Sequence, residues 1–184
     1  MENITNIIIE TERLLLVPTT QEYIQEIFKE FTDEVTKYMF PNSPKDISET
    51  QARIDDVIKR REAGEELQMT ILDKNTKEFL GNVGLHGIKE AIPELWIRVK
   101  QSAHGKKIWR EAVAALEARA QKNINFDYIE YPVDKDNIWS RKIAESLGGV
   151  VEKDDQGNEK VEVAPTFDNQ WTINEVMYKI PKKK

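Results

Sequence analysis

The sequence contains no cysteine and only two histidines, His86 and His104, among its 184 residues. Without cysteine the chain cannot form disulfides, thiolate metal sites, iron–sulfur clusters or a cysteine nucleophile. Two histidines are too few for a histidine-rich metal site, so we expect no bound metal. No apolar run approaches the ~20 residues that cross a bilayer, so we expect no membrane-spanning helix.

The charge balance is acidic, with 33 Asp and Glu against 27 Lys and Arg and a net charge of −6. A general nucleic-acid binder would show a basic balance, so that class is disfavoured. The N-terminal segment lacks the basic region and small-residue cleavage site of a secretory signal. We therefore expect a cytoplasmic protein that binds neither nucleic acid nor a membrane. The length favours a single domain spanning residues 1–184.

Hydrophobic periodicity and turn residues predict strands mixed with helices. We expect strands at 14–17, 67–72, 79–88, 94–100, 126–133, 150–163 and 172–180, and helices at 23–31, 47–63, 108–122 and 137–147. Thr19 and Glu22 have the spacing of a capping box for the first helix. Runs of strands mixed with helices indicate a mixed α+β or α/β class rather than a regular βαβ alternation.

The most informative segment is the loop between the strand at 94–100 and the helix that follows it. It carries Gly105, Lys106 and Lys107 directly before the helix. Unpaired amides and the positive dipole end at a helix N-terminus favour a phosphate. Taken alone, the segment is more simply interpreted as a solvated basic loop. It matches neither the P-loop pattern nor the dinucleotide-binding glycine fingerprint.

A second group of polar residues opens the last predicted helix. Asn137 is a natural N-cap, and Ser140 lies three residues further on, so both polar groups can face the same side. Trp139, Ile143 and Leu147 are spaced as an apolar stripe on this helix. An ordinary cap followed by a filler serine explains Asn137 and Ser140 equally well.

Four motifs in order resemble the GCN5-related N-acetyltransferase (GNAT) superfamily, and within it the branch that acetylates ribosomal-protein N-termini. These motifs are Thr11-Glu12-Arg13-Leu14, the hairpin segment 71–84 with Gly81, the loop segment 104–112, and the closing segment 128–148. The resemblance runs over nearly the whole chain. It implies a three-layer α-β-α sandwich around a mostly antiparallel, centrally splayed sheet.

The same resemblance implies an acetyl-CoA-dependent N-acetyltransferase with acetyl-CoA as its cosubstrate. The pantetheine arm would pair with the splayed central strand, and the pyrophosphate would sit on the loop amides. The cofactor-binding residues implied are Ile97, Arg98, Val99, His104, Gly105, Lys106, Lys107, Ile108, Trp109, Asn137, Ser140 and Arg141. For His104, packing against the loop is favoured over catalysis.

The implied chemistry is direct attack of a neutral amine on the thioester, with a carboxylate as the base. The resemblance places Glu94 first as this base, with Glu159 and Glu162 as weaker candidates. An exposed charge at the strand end explains Glu94 equally well. Glu111 is expected to have a structural role.

The remaining catalytic roles follow from the same resemblance. The amide of Ile97 or of Arg98 would stabilise the oxyanion, and Ser140 would hydrogen-bond the departing thiolate. The acceptor would be a protein N-terminus or a small-molecule amine. Its pocket would be built by the two helices before the hairpin and by the loops that hold Phe167 and Trp171.

Three departures from the family pattern keep a second hypothesis open, a non-catalytic GNAT-fold module that senses CoA or binds a partner. Lys107 replaces a loop glycine, Trp96 replaces a glycine on the central strand, and Ala144 stands where many relatives carry a tyrosine acid. A V-shaped cleft between the central strands, lined by Glu94 and Ser140, would favour the enzyme. A closed sheet would favour the non-catalytic module, and either a monomer or a homodimer fits both.

Overall fold

A computed structural model describes residues 6–39, 42–164 and 173–183. Its helices are α1 (Ile24–Glu30), α2 (Asp33–Thr36), α3 (Ile47–Glu62), α4 (Ile108–Asn123) and α5 (Ile138–Ser146). Its strands are β1 (Ile9–Glu10), β2 (Leu14–Pro18), β3 (Glu66–Asp73), β4 (Phe79–His86), β5 (Glu94–Val99), β6 (Tyr128–Asp134), β7 (Val150–Val151), β8 (Val161–Ala164) and β9 (Ile173–Pro181). Short 3-10 turns lie at Gln21–Tyr23 and Gln101–Ala103. None of the helices in the described ranges is long and apolar enough to cross a membrane.

All nine strands belong to one sheet in the order β1-β2-β3-β4-β5-β6-β9-β7, with β8 also pairing with β9. The pairs are antiparallel except that β5 and β6 run parallel. The mixed α/β class and the mostly antiparallel sheet are therefore confirmed.

Helices cover both faces of the sheet. One face packs against α4 and α5 through a large core that includes Leu85, Ile97, Leu116 and Ile143. The other face packs against α1 and α3 through a smaller cluster, in which Phe31 and Ile54 meet Phe79. Because successive strand residues point to opposite faces, each central strand serves both layers. The three-layer arrangement follows.

Two helix starts illustrate how local chemistry sets the boundaries. The Asp46 side chain accepts a hydrogen bond from the Ser48 amide at 2.8 Å and caps α3. Asn137 caps α5 in the same way, accepting from the Ser140 amide at 3.1 Å. The predicted cap at Asn137 is thus confirmed.

Three local predictions are wrong. The Thr19–Glu22 capping box does not form, because the Thr19 hydroxyl lies 3.1 Å from that of Thr70 and accepts from Asn82 in a buried polar group. The strand predicted at 150–163 is two short strands, β7 and β8, separated by a turn at Asp154. Trp139 is 74% exposed, so the buried stripe of α5 begins at Ile143.

Candidate functional site

A gap opens between the two parallel strands at the centre of the sheet. β5 pairs with β4 without interruption along Glu94–Val99, and β6 pairs with β9 over Tyr128–Asp134. Between β5 and β6 the pairing is confined to Glu94 opposite Glu130, where the Glu130 amide donates to the Pro93 carbonyl at 2.9 Å. The strands therefore part after Glu94. The result is a V-shaped cleft with Glu94 at its apex.

The backbone of β5 presents amides and carbonyls to this cleft. The Lys100 amide donates to the Leu80 carbonyl at 2.9 Å. This bond shows that the even-numbered residues of β5 turn their backbone amides and carbonyls toward β4. In antiparallel pairing alternate residues turn toward the neighbour, so the backbone of Arg98 faces Asn82 on β4. The amides and carbonyls of Ile97 and Val99 therefore face the cleft. This edge could pair with an extended ligand as a further strand would.

The loop after β5 closes back on the strand. His104 is exposed, and its Nε2 lies 2.8 Å from the Val99 carbonyl oxygen, which can only accept. The ring thus joins the loop to the strand edge. Gly105, Lys106 and Lys107 are exposed, whereas Ile108 is buried. The predicted packing role of His104 is consistent with this contact.

Lys107 opens α4 in the left-handed region, with φ 59° and ψ 22°. Its side chain makes no capping hydrogen bond, so the first amides of the helix are not satisfied by it. Together with the exposed Lys106 and the helix dipole, these amides form a site suited to phosphate. Trp109 is partly buried and packs against the core beneath the loop.

Glu111 ties the first turn of α4 to the turn between β1 and β2. Its Oε1 accepts from the Thr11 hydroxyl at 2.5 Å and from the Arg13 amide at 2.8 Å, and its Oε2 from Arg13 Nε at 2.7 Å. Arg13 also donates to the Lys106 carbonyl at 3.1 Å. Burial alone would raise the pKa of Glu111, but these hydrogen bonds outweigh it and lower the pKa. The contacts agree with the structural role expected for Glu111.

The far side of the cleft carries the start of α5. The Ser140 hydroxyl lies 2.9 Å from the hydroxyl of Tyr131 on β6. Arg141 donates to the Tyr178 hydroxyl at 3.0 Å and to the Lys135 carbonyl at 3.2 Å, and it forms an ion pair with Glu159. Asn137 is engaged as the helix cap. Ser140, Asn137 and Arg141 thus lie together, as the sequence motif suggested.

Tyr131 is a functional candidate that the sequence reasoning missed. It is 2% exposed, and burial raises the pKa of its hydroxyl to about 12. It shares one face of β6 with the buried Ile129 and Val133, which lie two residues to either side, and this is the face covered by α5. The apolar residues at every second position of this strand were the sequence signal that could have identified Tyr131 as buried. Position 144 on α5, where many relatives carry a tyrosine acid, is an alanine in this chain. The tyrosine near Ser140 is instead Tyr131, on β6.

On the opposite face of the sheet, a cavity of about 400 Å³ lies between the central strands and helices α1 and α3. Its walls include Glu94, Trp96 and Arg98 from β5 and Phe31 and Arg53 from the helices. The two helices before the hairpin therefore do contribute a pocket. Phe167 and Trp171, the other residues expected there, lie outside the described ranges.

Glu94 is partly buried in this cavity rather than exposed at a strand end. Burial raises the pKa of its carboxyl, the nearby Glu130 and Glu66 raise it further, and His86 acts in the opposite direction. His86 Nδ1 in turn lies 3.1 Å from the buried Glu66 carboxylate. A carboxyl with a raised pKa suits proton transfer near neutral pH.

The two weaker base candidates have other partners. Glu159 pairs with Arg141, and Glu162 lies 2.6 Å from Lys160. The hydrogen bond and charge of Lys160 lower the pKa of Glu162. Glu94 and Ser140 are not in contact through any described bond. They lie on opposite faces of the sheet, on either side of the cleft.

Residues 13–150 match the acetyltransferase (GNAT) domain family. No curated protein sequence matches this chain. Among solved structures, similar folds include the Salmonella typhimurium acetyltransferase that modifies the N-terminal serine of ribosomal protein L7/L12. It has a TM-score of 0.80 at 14% identity over 96% of this chain and 100% of that one.

Two further structures share the fold. The spermidine N-acetyltransferase from Vibrio cholerae, in complex with CoA and spermine, has a TM-score of 0.76 at 17% identity over 94% of this chain and 97% of that one. The microcin C7 self-immunity acetyltransferase, in complex with acetyl-CoA and AMP, has a TM-score of 0.77 at 16% identity over 93% of both chains.

Proposed function

The chain belongs to the acetyltransferase (GNAT) family, which makes it an acetyl-CoA-dependent N-acetyltransferase, and on that premise we propose how its residues act. Glu94 serves as the base for direct attack of a primary amine on the acetyl thioester. The observation that carries this proposal is the cleft between β5 and β6, which has a partly buried carboxyl at its apex. The acceptor is a protein N-terminus or a small-molecule amine, and we place the reaction in the cytoplasm.

The cleft fits the donor's shape. The Ile97 carbonyl and the Val99 amide, which face the cleft, can pair with the amide groups of a pantetheine arm. The loop Gly105–Trp109 offers amides and the lysine charges for a pyrophosphate. When bound, acetyl-CoA supplies the thioester whose acetyl group is transferred.

The residues on the acceptor side prepare the amine. Glu94 takes one proton from the substrate ammonium, directly or through water, and leaves a neutral amine to attack the thioester carbon. The new C–N bond forms as the C–S bond breaks, and the second amine proton passes from the product nitrogen through Ser140 to the sulfur, so that CoA departs as the thiol. Of the two amides considered for the oxyanion, that of Ile97 faces the cleft, so we assign this role to Ile97.

The residues on the far wall serve the leaving group. The Ser140 hydroxyl gives its proton to the departing thiolate and regains one from the product nitrogen, while a hydrogen bond from Tyr131 holds the hydroxyl in place. This supplies the acid that Ala144 does not provide. Base and acid thus work from opposite faces of the sheet, which lets the acceptor and the donor enter from different sides.

The first test is thermal unfolding with and without acetyl-CoA, with NAD as a control ligand. A ligand at 100 times its dissociation constant adds about 2.7 kcal/mol of stability. We expect a clear upward shift with acetyl-CoA alone. No shift at millimolar acetyl-CoA would overturn the proposed cofactor site.

The second test measures turnover of a panel of primary amines. The CoA thiol that each turnover releases is the product detected. Because the chain has no cysteine, a thiol reagent reports the product alone. We expect Glu94→Gln to lower kcat by about 10²–10⁴-fold while acetyl-CoA still shifts the melting temperature. Glu162→Gln, which removes a carboxylate paired with Lys160, is the control. Binding of acetyl-CoA without turnover of any amine would instead support the CoA-sensing module.

A further inference from the structure

Three titratable side chains lie side by side across the central strands, at the end of the cavity where the cleft has its apex. Glu66 on β3 is opposite His86 on β4, and His86 is opposite Glu94 on β5. Residues directly opposite each other on antiparallel strands share one face of the sheet, and all three line the cavity. The imidazole therefore lies between two carboxyl groups, one of which is the proposed base.

The contact with Glu66 sets the protonation of the imidazole. His86 Nδ1 lies 3.1 Å from Oε1 of Glu66, whose side chain is only 4% exposed. This oxygen accepts no hydrogen bond from elsewhere in the described part of the chain. Because a carboxylate favours a proton on the nitrogen that faces it, Nδ1 of the neutral ring carries the proton and Nε2 keeps its lone pair. The same carboxylate stabilises the ring when Nε2 gains a proton.

The indole of Trp96 fixes the orientation of the imidazole. The two rings stack with their centroids 5.7 Å apart and their planes 22° from parallel. The His86 side chain nevertheless remains 43% exposed, so solvent reaches it. Glu94, one strand away, is partly buried. The imidazole is thus a group of fixed orientation that borders both the base and the solvent.

The other charged groups around His86 are engaged elsewhere or lie farther away. Asp56 and Arg60 on α3 line the same cavity and are bonded to each other at 2.7 Å. Glu130 is opposite Glu94 on β6, two strands from β4. Helix α1 contributes apolar side chains to the cavity wall. Within the described ranges, the carboxylate on β3 is therefore the charged partner of the imidazole.

Glu94 has to lose the proton that it takes from each substrate ammonium before it can act again. Burial raises the pKa of Glu94 and so favours retention of that proton. The charge of His86 acts in the opposite direction, which places the imidazole within electrostatic reach of the carboxyl. Imidazole gains and loses protons readily near neutral pH. The neighbouring ring therefore offers the proton a path to solvent.

We infer that His86 is a positioning residue that returns Glu94 to its charged form in each turnover. This rests on the proposed function, in which Glu94 is the base. The proton passes from the Glu94 carboxyl through one water molecule to Nε2 of His86, and the imidazolium then releases it to solvent. Glu66 holds the other ring nitrogen and balances the transient positive charge. The proton that reaches solvent is the one that the ammonium gave to Glu94.

The test is turnover of His86→Ala with and without added imidazole. We expect this variant to lower kcat about tenfold or more, while acetyl-CoA still raises its melting temperature. Because the vacated position opens onto a cavity of about 400 Å³, free imidazole can enter and should raise kcat about fivefold or more. The rate without amine is subtracted, since imidazole itself attacks thioesters. Pyrazole, which has the same shape but is a far weaker base, should not raise kcat.

Glu66→Gln tests whether the buried carboxylate acts through the imidazole. In the otherwise unchanged protein it should lower kcat by about threefold to tenfold. In the His86→Ala protein it should cause no further loss, because the group through which it acts is gone. Glu65→Gln removes the exposed carboxylate next to it and is the matched control, with kcat unchanged.

Two results overturn the inference while acetyl transfer through Glu94 stands. One is an undiminished kcat in His86→Ala. The other is a reduced kcat that imidazole and pyrazole restore equally, or that neither restores, since a purely structural role predicts this. If His86→Ala fails to fold, as judged by its melting temperature, His86→Asn takes its place under the same comparisons. Undiminished turnover in Glu94→Gln would instead overturn the proposed function, and this inference with it.

Discussion

Glu94 lies where two requirements meet, since it must be close to the thioester and must also hold a proton for part of the cycle. Its position at the apex of the cleft meets the first requirement, and partial burial among carboxylates meets the second. A carboxylate kept in such surroundings reduces the stability of the folded protein when it is charged. The same environment therefore affects both catalysis and folding.

We predict that Glu94→Gln raises the melting temperature at neutral pH and that this gain disappears toward pH 4. Because the folded-state pKa of Glu94 is raised, its contribution to stability is fully present below its ordinary value of 4.5. That contribution is lost as the pH rises through the folded-state pKa. Melting temperatures of both proteins between pH 4 and pH 8 test this.

Glu162→Gln is the matched control because Lys160 lowers the pKa of that carboxyl. The Glu162 carboxyl stabilises the folded protein above its ordinary pKa, and this contribution is lost as the pH falls. Glu162→Gln should therefore not raise the melting temperature at neutral pH. A gain for Glu94→Gln that stays constant from pH 4 to pH 8 would show that charge is not the cause.

Lys107 is a second residue whose backbone matters as much as its side chain. The sequence left open whether a lysine is costly in this loop, and φ of 59° shows that it occupies glycine's preferred region. The left-handed conformation costs a non-glycine residue about 1–2 kcal/mol. Glycine would remove that cost but add about 0.4–1 kcal/mol of unfolded-state entropy.

We therefore predict that Lys107→Gly raises the free energy of unfolding by roughly 0.8 kcal/mol in urea titrations, the difference between these two effects. Lys106→Gly is the control, since Lys106 is exposed but does not have a positive φ. It should lower stability. Equal losses in both variants would contradict the strain at Lys107.

At the scale of elements, β4 and β5 fit each other through one glycine. Gly84 lies opposite Trp96, whose indole lies across it, and His86 stacks on the same ring at a centroid distance of 5.7 Å. A Cβ at Gly84 would lie 2.7 Å from the Cε2, Cζ2 and Nε1 atoms of Trp96. The tryptophan that departs from the family pattern is thus accommodated by a glycine on the neighbouring strand.

We predict that Gly84→Ala lowers the free energy of unfolding by about 1–3 kcal/mol, because the added methyl overpacks the strand face. In Gly84→Ala/Trp96→Leu the clash is absent. The double variant should then be less destabilised than the sum of the two single variants. Additive losses in urea titrations would mean that the indole moves aside without cost.

Elements with strong periodicity and clear end signals could be predicted from the sequence. The β3–β4 hairpin, α3, α4 and α5 appear close to their expected bounds, because apolar spacing and turn residues mark them locally. The turn-like segment 154–158 was visible in the sequence, but the division of 150–163 into two strands was not predicted from it. It depends on a turn in which Asp154 accepts from the amides of Gln156 and Asn158.

The segments that form the site could be predicted from the sequence, but their arrangement in space could not. Glu94, the loop at Gly105 and the start of α5 were identified from motifs. The cleft itself has no local signal in β5, whose pairing with β4 is continuous. It arises because β6 pairs with β9 instead, and Tyr131 reaches Ser140 only through that arrangement.

At the scale of the whole molecule, the sheet consists of two halves that share one point of pairing. β1–β5 form one half and β6–β9 the other, and the strands join at Glu94 and Glu130. The core beneath α4 and α5 spans both halves and holds them together. A donor bound in the cleft would add backbone pairing where the sheet has none.

We predict that saturating acetyl-CoA slows hydrogen exchange at the Ile97 amide by at least tenfold, as measured by NMR. This amide faces the cleft, so the thioester carbonyl of the bound donor would cover it and accept its hydrogen bond. Arg98, whose amide already faces Asn82 on β4, is the internal control and should change only as much as global stability does. The loop amides at Gly105–Trp109 should slow with Ile97. Slowing in the loop without slowing at Ile97 would mean that the donor binds through its phosphates but does not pair with β5, and the oxyanion role of Ile97 would fall with that result.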